Sequence, residues 1–301
     1  MREQFSVRFI ITGALATAMA IAAWPAQDIL AQASARERTI FVSAVDSRGE
    51  PVTGLGMDDF IITEDGRRRE VLRVSRAIEP MDIALLADNS AEAENLVGPL
   101  RDALRDFVER MGRDHRIAVI GLADRSMILA DYTTDPMRLE EGIGRLFSMS
   151  GSGMRLLDTI VEVSAGLRQR DSTRAVIVPI VTTGVEFSNR YGLDVVEAVQ
   201  QAGASLQPFV LGHSDFGTVP GRERAVVLNA GSRDTGGQYV PLLIATAVKP
   251  ALQKLARQLS SQYKVVYSRP VSLIPPETTD VTSRRSDVTT RGTPARGQAG
   301  D

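Results

Sequence analysis

The sequence predicts an α/β protein: a doubly wound, mainly parallel sheet with helices on both faces, plus a small β domain from the N-terminal and C-terminal segments. Three observations predict it. Short apolar runs without polar alternation recur from residue 83 to residue 211, as strands buried on both faces require. Segments with apolar residues at helical spacing separate these runs. The stretch from about 38 to 78 is different, with strand-like segments around Asp65-Gly66, a strong two-residue hairpin signal.

The elements follow in order. Arg2 and Arg8 flank a charged start, and an apolar run extends from Phe9 to about Ala23. Pro25 and small residues come next, and Ala31-Gln32-Ala33 fits a small-x-small cleavage rule. Residues 1–33 therefore read as a secretory signal peptide, with cleavage after Ala26 as an alternative. The apolar run is shorter than the ~20 residues a spanning helix wants, although an uncleaved N-terminal anchor is the competing reading. Thr39–Val45, Asp59–Glu64 and Arg69–Val74 read as strands of a small β unit over 38–78. Three strands make a poor core, so the unit needs partners from elsewhere in the chain.

The alternating domain is expected over 80–267. Its strands are 83–87, 117–122, 175–181 and 205–211, with 126–130 at an edge and 263–267 as the last. Its helices are 93–111, one opened by Asp135-Pro136, 156–167, 195–202 and 244–259. Gly231–Gly237 reads as a flexible loop. The segment 268–291 is rich in Pro, Thr, Ser and Arg, and a strand within Ser283–Thr290 is expected to join the β unit. Residues 292–301 read as a disordered tail.

Composition limits the chemistry. The 301 residues carry no cysteine, which removes disulfides, thiol nucleophiles and cysteine-ligated metals. A net charge of -2 and 5% aromatic residues give no overall field or stacking platform for nucleic acid. In open parallel sheets ligands sit beyond the carboxyl ends of the strands. The loops after Ala87, Leu122, Val181 and Leu211 are therefore the ones to inspect.

Asp88-Asn89-Ser90-Ala91-Glu92 follows the first buried strand and precedes a helix. It resembles the Asp-x-Ser-x-Ser motif of von Willebrand factor A domains. The order of elements from about 80 to 265 is similar to that family. The patterns at 49–55 and 59–66 resemble the N-terminal part of a bacterial subgroup of related proteins. The resemblance implies a divalent-metal site made by the motif, a threonine from a second loop and an aspartate from a third. Here Asp88 and Ser90 fill the first two slots, Glu92 the third serine slot, Met154 the threonine slot and Thr183 the aspartate slot. Magnesium wants hard oxygen ligands, and a thioether is a poor substitute. The expectation is a vestigial site at Asp88 and Ser90, with Glu92 and Thr183 as possible contributors. No cofactor is expected, with magnesium or manganese as the alternative. Asp88 is equally readable as a helix N-cap, and Glu92 as a first-turn acid favoured by the helix dipole.

The function expected is an exported, periplasmic or secreted, non-enzymatic protein-binding or adhesion-type module. Its contact loops would carry Asn89, Glu92, Ser152, Met154, Thr183 and Glu186. Two alternatives stand beside it. One is a serine-type hydrolase using Asp88, Ser90 and His213, although the Gly-x-Ser-x-Gly elbow is missing at Ser90. The other is a structural component of a cell-envelope assembly. His115, in a polar turn, is expected to be exposed.

Overall fold

The computed structural model describes residues 35–212, 217–271, 274 and 276–296. The leader, with any cleavage site in it, lies outside these residues, as does His213. The chain opens with β1 (Ala35–Val45), β2 (Phe60–Glu64), β3 (Arg67–Arg69) and β4 (Val71–Arg76). Next come β5 (Asp82–Ala87), α1 (Glu94–Met111), β6 (Arg116–Gly121), β7 (Met127–Thr133), α2 (Pro136–Gly144) and α3 (Leu156–Gln169). After these follow β8 (Ala175–Thr182), α4 (Gly192–Gln201), β9 (Ala204–Leu206), β10 (Phe209–Leu211), α5 (Val219–Val226), β11 (Val240–Leu242) and α6 (Val248–Ser260). The last elements are β12 (Tyr263–Pro270), β13 (Thr279–Ser283) and β14 (Thr289–Pro294).

The central sheet runs β11-β10-β8-β5-β6-β7, with β9 also paired to β8. Its pairings are parallel except that of β7, which lies antiparallel to β6. Every residue of β5 and β8 is buried, as the unbroken apolar runs require. Helices α1, α2 and α6 cover one face through Leu100, Leu104, Phe107, Leu139, Ile143, Leu252 and Leu259. Helices α3 and α4 cover the other through Leu157, Ile160, Leu167, Val195 and Val199. The strand order reverses at β5, which has β6 on one side and β8 on the other. The loops leaving β5 and β8 therefore meet at the switch point, where such sheets bind ligands.

Two further sheets, β14-β1-β12-β4 and β13-β2-β3, form the β layer around Ile40, Val42, Phe60, Ile62, Val265 and Tyr267. The partners that the N-terminal strands need come from the C-terminal part of the chain. Strand β12, expected as the last strand of the alternating domain, pairs instead with β1 and β4. The expected strand at 283–290 is resolved into two, β13 and β14, joined through that stretch. Residues 292–294, read as part of a disordered tail, complete β14, and the Ala295 amide donates to Thr39 O.

Two other expectations change. The strand at 205–211 is split into β9 and β10 at Gln207-Pro208, because proline has no amide for the ladder. The stretch 231–237 is not a loose loop. Helix α5 continues through a π-turn at Val227–Gly231 into Ser232–Asp234. Thr235 Oγ1 then accepts from the Leu206 amide at 3.0 Å and donates to Gly231 O at 2.7 Å.

Candidate functional site

Asp88 extends the ladder one step beyond β5, its amide donating to Ile180 O at 3.0 Å. Its side chain is fully buried. A buried carboxylate must be hydrogen-bonded to be tolerated, and three donors meet it. The Ser90 amide donates to Oδ1 at 2.9 Å, while the Thr182 amide and hydroxyl donate to Oδ2 at 2.9 and 2.6 Å. Asp88 is therefore not a helix cap. It ties the loop after β5 to the end of β8.

Asn89 ties the same loop to two others. Its Oδ1 accepts from the Leu122 and Ala123 amides, both at 2.9 Å, and its Nδ2 donates to Phe147 O at 3.1 Å. The Ser90 hydroxyl is buried and makes no hydrogen bond. Glu92 is exposed in a single 3₁₀ turn, Ala91–Ala93, ahead of α1.

Met154 lies in the floor of the site, fully buried. Isolated bridges pair it with Ala123 on one side and Glu186 on the other. A Cβ placed on Gly184 would come within 3.0 Å of Glu92 Cβ, 3.3 Å of Thr182 Oγ1 and 3.4 Å of Met154 Cε. The loops after β5 and β8 thus meet the Met154 segment at Gly184. Thr183 does not face Asp88: it packs against Gly212, whose Cβ position is 3.1 Å from Thr183 Cγ2. The hydroxyl that reaches the carboxylate belongs to Thr182, one residue earlier.

Of the expected contact residues, Glu92 is exposed and Ser152 and Thr183 are half-buried. Asn89, Met154 and Glu186 are buried and form the framework beneath the surface. Glu186 Oε1 accepts from the Ser188 amide at 2.9 Å, and Ser188 Oγ accepts from the Asp158 amide at 3.0 Å. The pair caps the first turn of α3, whose own N-cap Arg155 gives no side-chain cap. Burial pushes the Glu186 carboxyl above the usual range, opposed by Ser188 and by the charge of Arg224.

Arg224, on α5, was not signalled by the sequence because it sits in a polar stretch opened by Pro220-Gly221. It is buried, and its Nη1 donates to Gly184 O at 2.6 Å and lies 3.6 Å from Met154 Sδ. His115 is half-buried rather than exposed, its Nδ1 accepting from the Met81 amide at 3.3 Å.

The residues that the resemblance assigns to a metal do not fit one. Ser90 Oγ, a buried oxygen without a partner, favours a cation. Against it stand the rest of the donors: both Asp88 oxygens already accept hydrogen bonds, Thr183 faces away, and a thioether and a guanidinium occupy the opposite side. Near-octahedral oxygen coordination cannot be assembled from this set. Among the described residues, no group of three or more His, Asp or Glu is placed to hold an ion.

No family model matches the chain, and no curated protein does. Solved structures do. Proximal thread matrix protein 1 from the mussel byssus has a TM-score of 0.49 at 11% identity, covering 65% of this chain and 49% of its own, so the chain spans about half that protein. A von Willebrand factor type A structure from Catenulispora acidiphila has 0.48 at 10% identity, covering 86% of this chain and 74% of that one. BatB from Bacteroides thetaiotaomicron has 0.45 at 15% identity, covering 61% and 100%. The solved structures similar to this chain include von Willebrand factor A domains, and its own central sheet has the doubly wound, mainly parallel order that the sequence predicts.

Proposed function

We propose that the chain is an exported, non-enzymatic protein-binding module whose partner docks on the loops at the carboxyl edge of the central sheet. The observation that carries this reading is where its large apolar side chains are exposed. Phe147, Met149, Val185, Phe187, Tyr191, Leu193, Val219, Leu243 and Ile244 are all exposed on loops or helix starts at that edge. Of the other large apolar side chains exposed among the described residues, Ile78 and Met137 lie at the opposite edge, Met57, Val271 and Ile274 on the β layer, Met127 and Ile128 on the edge strand β7, and Val226 on α5. Apolar side chains gathered at one end of a domain mark an interaction surface. Export rests on the leader-like residues 1–33.

The polar groups of the site support binding over catalysis. Ser90 Oγ is shielded from substrate by its burial, and Ser152 Oγ donates to Met149 O at 2.7 Å. A nucleophile needs access and a base within hydrogen-bond reach.

The test compares two surface variants of equal chemistry. Tagged chain with Phe187→Asp and Tyr191→Asp is expected to lose its partner in affinity capture, while Met137→Asp keeps it, both melting as the wild type does. Equal capture by all three refutes the edge as the interface. Sequencing the N-terminus of chain recovered outside the cytoplasm tests the leader, and retention inside the cell refutes export.

A further inference from the structure

We infer that Arg224 is an internal replacement for the divalent cation: its buried guanidinium is the fixed positive charge that fastens the loop after β8 over Met154, without metal. The inference is independent of what the edge loops bind.

Hydrogen bonds on the two sides of Gly184 carry it. Asp88 Oδ2 accepts from Thr182 Oγ1 at 2.6 Å, and Thr182 Oγ1 accepts from the Gly184 amide at 3.2 Å. On the far side of the same residue, Gly184 O accepts from Arg224 Nη1 at 2.6 Å. A buried anion and a buried cation thus flank Gly184, Asp88 through Thr182 and the Gly184 amide, Arg224 through the Gly184 carbonyl of the next peptide unit. Asp88 is fully buried and Arg224 is 4% exposed. Neither charge would be tolerated there without compensation.

Packing works in the same direction. Glu92 Cβ, Thr182 Oγ1 and Met154 Cε crowd the space a Cβ on Gly184 would take, and the one oxygen among them is already bonded to Asp88. Arg224 Nη1 rests against Met154 Sδ, a soft acceptor that suits a diffuse guanidinium better than a hard divalent ion. The same arginine charge stabilises the Glu186 carboxylate, which lies on the other side of Met154. One guanidinium therefore acts on the Gly184 carbonyl directly and on the Glu186 carboxylate through its charge. A metal coordinated beside Met154 would meet this fixed charge.

The test measures Mn²⁺ binding, by the loss of its free paramagnetic signal, in the wild type, Met154→Thr, and Met154→Thr combined with Arg224→Ala. The wild type is expected to show no saturable binding. Adding one hydroxyl while Arg224 remains is expected to change little. Removing Arg224 as well is expected to tighten Mn²⁺ binding by about tenfold or more over Met154→Thr, as loss of a nearby like charge does. Saturable binding to the wild type, or equal affinity with and without Arg224, overturns the inference. Should the double variant not fold, Arg224→Lys and Arg224→Gln decide in metal-free buffer. A charge role requires Lys to melt above Gln. Gln at or above Lys overturns it.

Discussion

Asn89→Ala is the sharpest test of how the edge loops are held. The side chain joins three segments: Oδ1 takes the amides of Leu122 and Ala123, and Nδ2 gives to Phe147 O. The Leu122 amide has a second acceptor, Ala87 O at 3.2 Å, so it is only partly orphaned by the change. The Ala123 amide loses the contact outright, whereas Phe147 O, on an exposed residue, can turn in part to water. An unsatisfied buried polar group costs about 1–3 kcal/mol. One full loss and two partial ones give about 2–4 kcal/mol. At roughly 2–4 °C per kcal/mol for a domain of this size, melting falls by about 4–16 °C. The urea midpoint should fall with an unchanged slope, since the surface exposed on unfolding is the same. Asn89→Asp separates the two halves of the side chain. It keeps the acceptor but turns an oxygen toward Phe147 O, so it is expected to be unstable at neutral pH and to recover part of the loss in mild acid, where a protonated carboxyl can donate. An Asn89→Ala loss below about 0.5 kcal/mol would refute the reasoning, because the two amides would then have found other partners.

The remaining predictions concern other parts of the fold. Burial holds the His115 imidazole below its ordinary 6.5, so the unfolded chain takes the proton first. The stability this gives is present above the unfolded value and is lost as pH falls below it, and urea midpoints of His115→Gln should fall less steeply with acid than those of the wild type. Parallel profiles would sink this reading. Arg174, with a pKa lowered to about 10 by burial, donates to Glu79 O, Leu259 O and Gln262 Oε1 at the junction of the central sheet and the β layer. Arg174→Met should cost about 3 kcal/mol in denaturant unfolding and expose the junction to protease. At Gly237 an added Cβ would lie 1.8 Å from Leu206 O, whereas at Gly98 it would meet nothing within 4 Å. Gly237→Ala should therefore lower the melting temperature sharply, while Gly98→Ala, on the exposed side of α1, should add about 0.5–1 kcal/mol.

The central sheet was legible because its strands are apolar on both faces, a pattern that few other structures need. Its helices were legible where one face is apolar, as in Leu96, Leu100, Leu104 and Phe107 of α1. Helix α5 was not, because Val219-Pro220-Gly221-Arg222-Glu223-Arg224 has no apolar stripe and is held by Arg224 and by the Thr218 cap to Gly221. Strand β12 was read as a strand but given the wrong neighbours. Periodicity reports which residues face a core, and it does not report which strand lies alongside. The site shows the same limit at finer scale. The family resemblance assigned Asp88, Ser90, Glu92, Met154 and Thr183 to one site, yet the hydroxyl that reaches Asp88 is that of Thr182. A one-residue difference in an extended segment turns the side chain to the opposite face, and backbone hydrogen bonds at the end of β8 decide which threonine points inward.

The inward and outward halves of this edge are physically linked. Holding Asp88 without solvent takes its hydrogen-bonding neighbours, so Thr182 and the Ser90 amide are committed inside and cannot be offered to a partner. Asn89 is committed in the same way to amides of a neighbouring loop, and Glu186 to the Ser188 amide of its own. The apolar side chains exposed there remain for contact, and burying one of them fully is worth about 1.5–3 kcal/mol before the cost of association. Affinity built from Phe147, Val185, Phe187 and Tyr191 would depend weakly on salt and would bring a negative heat-capacity change on binding. A site built around an exposed ion would have the opposite dependence, because its strength would lie in one charge rather than in area.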